Sequence, residues 1–463
     1  MDMASHAVQS DFTQGKMWHN ILRQAIPLTV ATAVQVLYNV VDRIYLGHLP
    51  GASSLALTGV GLIFPIVALI TAFGNLFATG GAPLFAISRG AGELERAEKI
   101  LNNTFLALVV TALALTGVGY LFKRPVLFLF GASEETWPYA NAYLSIYLAG
   151  TAFSMIATGM NGFINAQGFP GVGMLTIILG AVLNVILDPI FIFVLDLGVR
   201  GAALATVISQ LVSCLWVLRF LTGDRAMLRL RKQQMRPDFP LLGEIVKLGV
   251  PGFIMAGTNC LVQVACNATL KVYGGDSYIG VMTVINSVRE LFVLPITGLT
   301  HGAQPVISYN YGARAYRRVR SGIVFMSVAS TVMTLVSWLL VLTFPGTLLG
   351  MFTNDGLLVE LGVRSMQIYF FGFCFMALQI AGQSTFVALG KSRQAVLFSL
   401  LRKAFIVFPL TLWLPTVWGL GVDGVFLAEP VSNLIGGGAC FVTMMLTVWR
   451  QLRRAENERS NGT

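Results

Sequence analysis

The stretch NVILDP, Asn184 to Pro189, sets an amide, a carboxylate and a proline within about one helical turn of one another. It lies inside an apolar run from Val172 to Leu195. Asn184 and Asp188 are spaced i, i+4, so on a helix they share a face. Pro189 has no N–H to give the carbonyl of Val185, which frees a backbone oxygen one turn below it. An ionisable group in such a run costs at least about 2.5–3.5 kcal/mol at the helix centre. Asp188 therefore needs either a partner or a task. A partnering role would pair it with Arg43 or cap a broken helix. The task open to it is chemical: carboxylate, amide, hydroxyl and carbonyl oxygens are hard donors. They suit Na⁺, or protons shared by a coupled carboxylate pair.

The other ionisable groups within apolar runs are Asp42, Arg43, Arg289, Glu290 and Glu429. At 1.5 Å per residue, Asp42 lies roughly 6 Å below the outer end of its run, Asp188 roughly 10 Å and Thr206 roughly 9 Å. Asp42, Asn184, Asp188 and Thr206 are thus expected in one layer, as candidate ligands of Na⁺ or carriers of H⁺. Tyr38 lies one turn below Asp42 and is placed to hydrogen-bond it, or to serve as plain aromatic lining; Gln35 joins it as a candidate cavity residue. Asn161 and Asn165, in MNGFINAQG, either line a cavity or bridge helices. Arg289 and Glu290 read as a neutralised pair facing a second cavity, or as a structural ion pair, and Glu429 as a candidate substrate-facing group.

These residues have to be positioned by membrane helices. The chain has 463 residues, 55% hydrophobic and only 11% charged, where soluble domains carry about 25% charged residues. Spans of about 20 apolar residues are read at 21–46, 55–82, 100–122, 138–160, 172–195, 200–221, 246–270, 279–305, 320–344, 361–386, 395–418 and 424–449. Of the 31 Lys and Arg, 24 fall on the side of the N-terminus, five on the other, and Arg43 and Arg289 within spans. That bias puts both termini in the cytoplasm. It also explains the net charge of +10 without nucleic acid. The polar first residues show no signal-peptide core and read as a short cytoplasmic lead. The five cysteines fit small apolar packing residues. Gly59, Gly61, Gly74, Gly80 and Gly81 suit close packing of the second span.

The two halves repeat. LDLGVRGAALATVISQ (195–210) aligns with WGLGVDGVFLAEPVSN (418–433) at an offset of 223, setting Thr206 against Glu429. RGAGELERAEK (89–99) aligns with YGARAYRRVR (311–320), and AQGFP (166–170) with ALGKS (388–392), at 222; Pro27 and Pro251 are 224 apart. Six spans per half give parallel repeats, the usual basis of two lobes that rock about a central cavity. The expected divisions are an N-lobe at 1–222, a cytoplasmic linker at 223–244, a C-lobe at 245–450 and a cytoplasmic tail at 451–463.

IPLTVATAVQVLYNVVDRIYLGHL, GAGELERAEK, LNVILDPIFIFVLDLGVRGAALAT and YGARAYRRVR together resemble the multidrug and toxic compound extrusion (MATE) family across all twelve spans. The likeness is to its DinF-like branch, with the MepA-type exporters. It implies an all-α polytopic membrane protein of two pseudo-symmetric six-helix lobes in a V. It implies a cation-coupling set of Asp42, Asn184, Asp188 and Thr206, and bending of the first span at Pro27. The NorM-like branch instead uses acidic residues in the seventh and tenth spans, and this chain has none there. The implied activity is export of amphipathic organic cations or drugs in exchange for Na⁺ or H⁺ across the cell membrane, with no cofactor; the sequence leaves the oligomeric state open, with a monomer as the default. A flippase for lipid-linked precursors is the alternative; twelve spans and only two in-span arginines count against it. The scattered histidines (His6, His19, His48, His301) form no catalytic constellation. A buried acidic cluster in paired lobes fits gated exchange better than a continuous pore.

Overall fold

The computed structural model describes residues 11–47, 59–231, 233, 235–352, 355–417 and 419–461. The side chains of 39, 40, 42–44, 46, 47, 260, 276 and 459–461 lie outside that description. A chain this apolar has no water to satisfy its backbone inside the bilayer, so the peptide groups must bond within helices. The first half runs α1 (Met17–Gly47), α2 (Phe64–Gly90), α3 (Leu94–Leu129), α4 (Trp137–Ala149), α5 (Thr151–Ala166), α6 (Pro170–Pro189) and α7 (Gly198–Thr222). The second runs α8 (Phe239–Gly275), α9 (Ser277–Gly312), α10 (Tyr316–Thr343), α11 (Gly356–Tyr369), α12 (Cys374–Ala388), α13 (Ser392–Thr416) and α14 (Val422–Glu458). A short helix, Pro345–Gly350, precedes α11.

Among the described residues, ten helices are long and apolar enough to cross a membrane, and twelve spans result if α4–α5 and α11–α12 each count as one. Both of these pairs bend by 53°. The bends fall at Gly150 and Gly372, at the repeat offset of 222. The protein is therefore a multi-pass membrane protein built twice over.

The backbone carries the repeat more clearly than the side chains do. Left-handed φ values recur in register: Gly92 (+80°) with Arg314 (+55°), Gly168 (+94°) with Gly390 (+71°), Asp196 (+50°) with Gly419 (+69°), and Gly198 (+52°) with Gly421 (+50°). All four pairs sit where one helix ends or the next begins. Arg314 and Asp196 hold a conformation that non-glycine residues rarely adopt, so the turn shape is retained where the glycine is not.

Contacts divide the chain into two compact units, Pro27–Gly249 and Phe12–Ile26 with Val250–Thr463. The breaks fall one residue before Pro27 and one before Val250, again at the repeat offset. The segment read as a linker packs within the first unit. Gln167 donates to the Leu228 carbonyl at 3.2 Å and accepts from the Met227 and Leu228 amides at 2.8 and 3.1 Å. Asn102 and Asn103 accept from the Arg231 and Asp238 amides at 3.0 and 2.8 Å. In the second unit the leading segment is held likewise: Asn310 and Arg318 donate to the Phe12 carbonyl at 3.0 and 2.9 Å.

Apolar surface faces outward and polar groups inward. On α3, Leu113 and Leu121 are 64% and 78% exposed, while Asn102, Asn103 and Thr104 are buried. A membrane makes that pattern favourable. Two crossings depend on glycine. A Cβ on Gly80 would lie 2.0 Å from the Ile245 carbonyl oxygen, and one on Gly249 would lie 1.8 Å from that of Leu76. The helices touch backbone to backbone.

Arg402 and Lys403 correct the charge count made above. Counted there with the N-terminal side, they are 3% and 5% exposed and sit inside α13, where the helix loosens into a π turn at Leu401–Val407. Twenty-two Lys and Arg then remain on that side against five. The fourth span also runs past the expected Met160 to Ala166, because Asn161 and Asn165 are buried within the fold rather than marking its edge.

Candidate functional site

In the first unit, α6 and α7 bring three of the four expected coupling residues together. Asp188 and Asn184 are 0% and 2% exposed. The Asn184 amide nitrogen donates to Asp188 Oδ1 at 3.4 Å and to Thr206 Oγ1 at 3.4 Å. The Thr206 hydroxyl donates to the Ala202 carbonyl at 3.0 Å, which leaves its lone pairs toward the asparagine. The expected sharing of a face by Asn184 and Asp188 is what makes the first contact. The second needs Gly201, whose absent side chain lets α7 start hard against the carbonyl of Phe191, 2.5 Å from where a Cβ would sit. The fourth residue, Asp42, lies on α1, and its side chain is outside the described residues, as is that of Arg43. Past Pro189 the helix widens into a π turn, Ile190–Val194. π turns of this kind recur at functional sites.

This layer borders a cavity of about 470 Å³ within the first unit. Gln35, Tyr38, Asn161, Asn184 and Thr206 line it, so five residues singled out in the sequence share one chamber. Pro27 sits inside α1, half-buried, away from that lining. Asn75, Ser154, Thr158, Ser209 and Gln210 also belong to its polar wall. Among the described residues, the amide oxygens of Asn161, Asn184 and Gln210 are buried without a hydrogen-bond partner. A buried unsatisfied acceptor costs about 1–3 kcal/mol. Three around one cavity favour a guest that brings hydrogen-bond donors or positive charge. The Asn161 nitrogen donates to the Gly173 carbonyl at 3.1 Å, so this residue bridges α5 and α6 and lines the chamber as well. Asn165 is buried beside Gly173 and does not line it.

The second unit holds a different arrangement. Glu429, on α14, accepts from Lys403 Nζ at 3.2 and 3.3 Å and from Arg402 Nη1 at 3.3 Å. Arg402 also donates to Asn433. All four are buried. Lys403 and Glu429 face a cavity of about 150 Å³ that Arg289, Tyr369, Asn259, Gln263 and Asn286 also line. Arg289 and Glu290 do not pair: Arg289 turns to the cavity while Glu290 is exposed. Adjacent helical residues point about 100° apart, which forbids the contact.

Sequence reasoning placed Glu429 in a cavity and missed its two cations. The signal was present: Arg402 and Lys403 lie ten residues beyond Ser392 inside one apolar run, and the only acidic residue of the twelfth span lies opposite. Asn75, Ser154, Thr158, Ser209 and Gln210 of the first cavity and Asn259, Gln263 and Asn286 of the second were missed as well. Asn and Gln in apolar helices look like helix bridges until the packing shows which way they face.

The profile of the MatE family matches residues 27–190 and 252–413. The multidrug export protein MepA of Staphylococcus aureus (strain N315) is 25% identical over 441 residues, covering 95% of this chain and 95% of its own. MepA of Staphylococcus haemolyticus is 25% identical over 429 residues, covering 92% and 93%. Among solved structures, a MATE protein in the straight conformation superposes with a TM-score of 0.89 at 21% identity, over 97% of this chain and 99% of that one. An outward-facing multidrug resistance MATE family transporter gives 0.88 at 21% identity, over 97% and 98%. These structures bear on the fold alone.

Proposed function

Because the chain belongs to the MatE family of multidrug and toxic compound extrusion transporters, we propose that it is a secondary antiporter. It exports amphipathic organic cations or drugs, and Na⁺ or H⁺ moves inward in exchange. The MepA relatives are named as multidrug export proteins, which supports the cargo class. One observation carries the reading: Asn184, Asp188 and Thr206 meet in a buried layer bordering the acceptor-rich 470 Å³ cavity. A cation bound there neutralises Asp188, whose burial otherwise costs free energy. A positively charged drug in the same chamber competes for the same oxygens. Competition for one set of donors is the simplest way to make binding of the two exclusive, which exchange requires. In this reading Asp42 completes the coupling set, Gln35, Tyr38 and Asn161 contact cargo, and Pro27 is where α1 changes its bend. Residues 1–222 and 245–450 act as the two lobes of alternating access, with both termini cytoplasmic.

A second reading, a flippase for lipid-linked precursors, gains from the second unit. Arg402 and Lys403 raise the in-span cations from two to four, so their scarcity no longer counts against it.

Reconstitution tests the proposal. Proteoliposomes preloaded with ethidium are given an inward Na⁺ gradient or an inward pH gradient. Efflux driven by one of the gradients supports the antiporter and names the ion. If neither moves dye, the reading fails and the flippase becomes the better account.

A further inference from the structure

The second unit's cavity has a charge problem that its own residues do not solve. Three cations, Arg289, Arg402 and Lys403, surround one carboxylate, Glu429. Arg402 and Lys403 both spend their contacts on that carboxylate. Arg289 feels Tyr369, Glu429 and Glu290 only at longer range: it makes no ion pair among the described residues, and its Nε is buried without a hydrogen-bond partner. It nevertheless lines the cavity. Placing an unpaired guanidinium in a membrane segment is costly, and its planar fork is shaped for an oxyanion with two oxygens. The wall beside it is made of amides: Asn286 donates to Gln263 at 3.2 Å, and Gln263 in turn donates to Asn267 at 3.2 Å. The first unit's chamber lacks acceptor partners; this one lacks an anion.

We propose that the second unit's cavity binds the carboxylate group of a small anionic or zwitterionic amphiphile, with Arg289 as its principal contact and Lys403 as the second. The volume of about 150 Å³ holds a carboxylate with an attached ring. It is too small for a whole drug-sized molecule, whose pockets run from about 300 Å³ upward. Three cations against one carboxylate leave two positive charges in excess, and Arg289 is the one that Glu429 does not engage, so a single carboxylate seated on its fork is the ligand tested against a phosphate. The site is separate from the coupling layer; the ethidium control rests on the export reading, whereas the preference for naphthoate over naphthamide in wild type does not.

The experiment uses the full chain purified in an uncharged detergent and three probes with one ring system: 2-naphthoate, 2-naphthamide and 2-naphthyl phosphate. Calorimetry gives their affinities for wild type, Arg289→Gln and Arg289→Lys, with ethidium binding as the control for folding. The expected result is naphthoate at least tenfold tighter than either other probe. Arg289→Gln should lose that margin, and Arg289→Lys should keep part of it, because charge remains while the fork is gone. Ethidium affinity should not change in either variant. Equal binding of naphthoate and naphthamide overturns the proposal. So does a naphthoate affinity unaltered in Arg289→Gln when ethidium binding is intact. A phosphate that binds tenfold tighter than the carboxylate overturns the choice of ligand and points to phosphorylated cargo. If Arg289→Gln loses ethidium binding too, Arg289→Lys decides: naphthoate affinity as in wild type rejects the fork, and a loss confined to naphthoate supports it.

Discussion

Replacing Glu429 with Gln removes one carboxylate and strands two cations. Arg402 and Lys403 are 3% and 5% exposed and hold Glu429 at 3.2–3.3 Å. Gln keeps the size and one acceptor oxygen, so packing barely changes and the loss is electrostatic. Removing one partner of a buried pair costs about 3–5 kcal/mol, because a charge is left without compensation. With about 2.1 cal/mol/K of unfolding entropy per residue, a chain of this length melting as one body loses about 3–5 °C for that penalty. If the second unit melts alone, the shift is about twice as large. The cost should be partly reversible. In Glu429→Gln/Lys403→Met only Arg402 is left buried and uncompensated, and the double variant should be more stable than Glu429→Gln. Lys403→Met by itself should cost less than Glu429→Gln, since Arg402 then has the carboxylate to itself. Thermal unfolding of the purified protein, followed by tryptophan fluorescence, measures all four. If Glu429→Gln melts with wild type, or the double variant melts below it, the ion cluster is not held as described.

Two further perturbations follow from the first unit. Thr206→Val keeps the shape but removes the hydroxyl that accepts from Asn184, so the apparent affinity for the coupling ion should fall several-fold while Thr206→Ser stays near wild type; rates of ethidium efflux against ion concentration check it. Gly249→Ala puts a methyl 1.8 Å from the Leu76 carbonyl, which forces α2 and α8 apart at a cost of about 1–3 kcal/mol, read as a lowered melting temperature.

Much of the fold is legible in the sequence because a bilayer imposes few solutions. Apolar runs of the right length fix the spans, and the 222–223 offset fixes the repeat; the bends at Gly150 and Gly372 and the left-handed turns at Gly168 and Gly390 obey it. The meeting of Asn184, Asp188 and Thr206 is legible for the same reason: i, i+4 spacing and depth counting use only helix geometry. What escapes is whatever depends on rotation and close packing. Arg402 and Lys403 lie inside the run read at 395–418, but their pairing with Glu429 shows only in the fold. Arg289 and Glu290 read as a pair because they are adjacent, yet adjacency on a helix separates them. The docking of Leu228, Arg231 and Asp238 onto Gln167, Asn102 and Asn103 also has no local signature, since the partners lie more than 60 residues away.

The central claim is that Asp188 carries the exchanged cation. Uptake of ²²Na⁺ and internal acidification, each recorded during ethidium efflux from proteoliposomes holding wild type or Asp188→Asn, tests it most directly. The account predicts that in wild type one of these ions enters as dye leaves, and that Asp188→Asn abolishes both fluxes while still binding ethidium. Coupled ion entry at the wild-type rate in Asp188→Asn would contradict it and leave NVILDP as architecture.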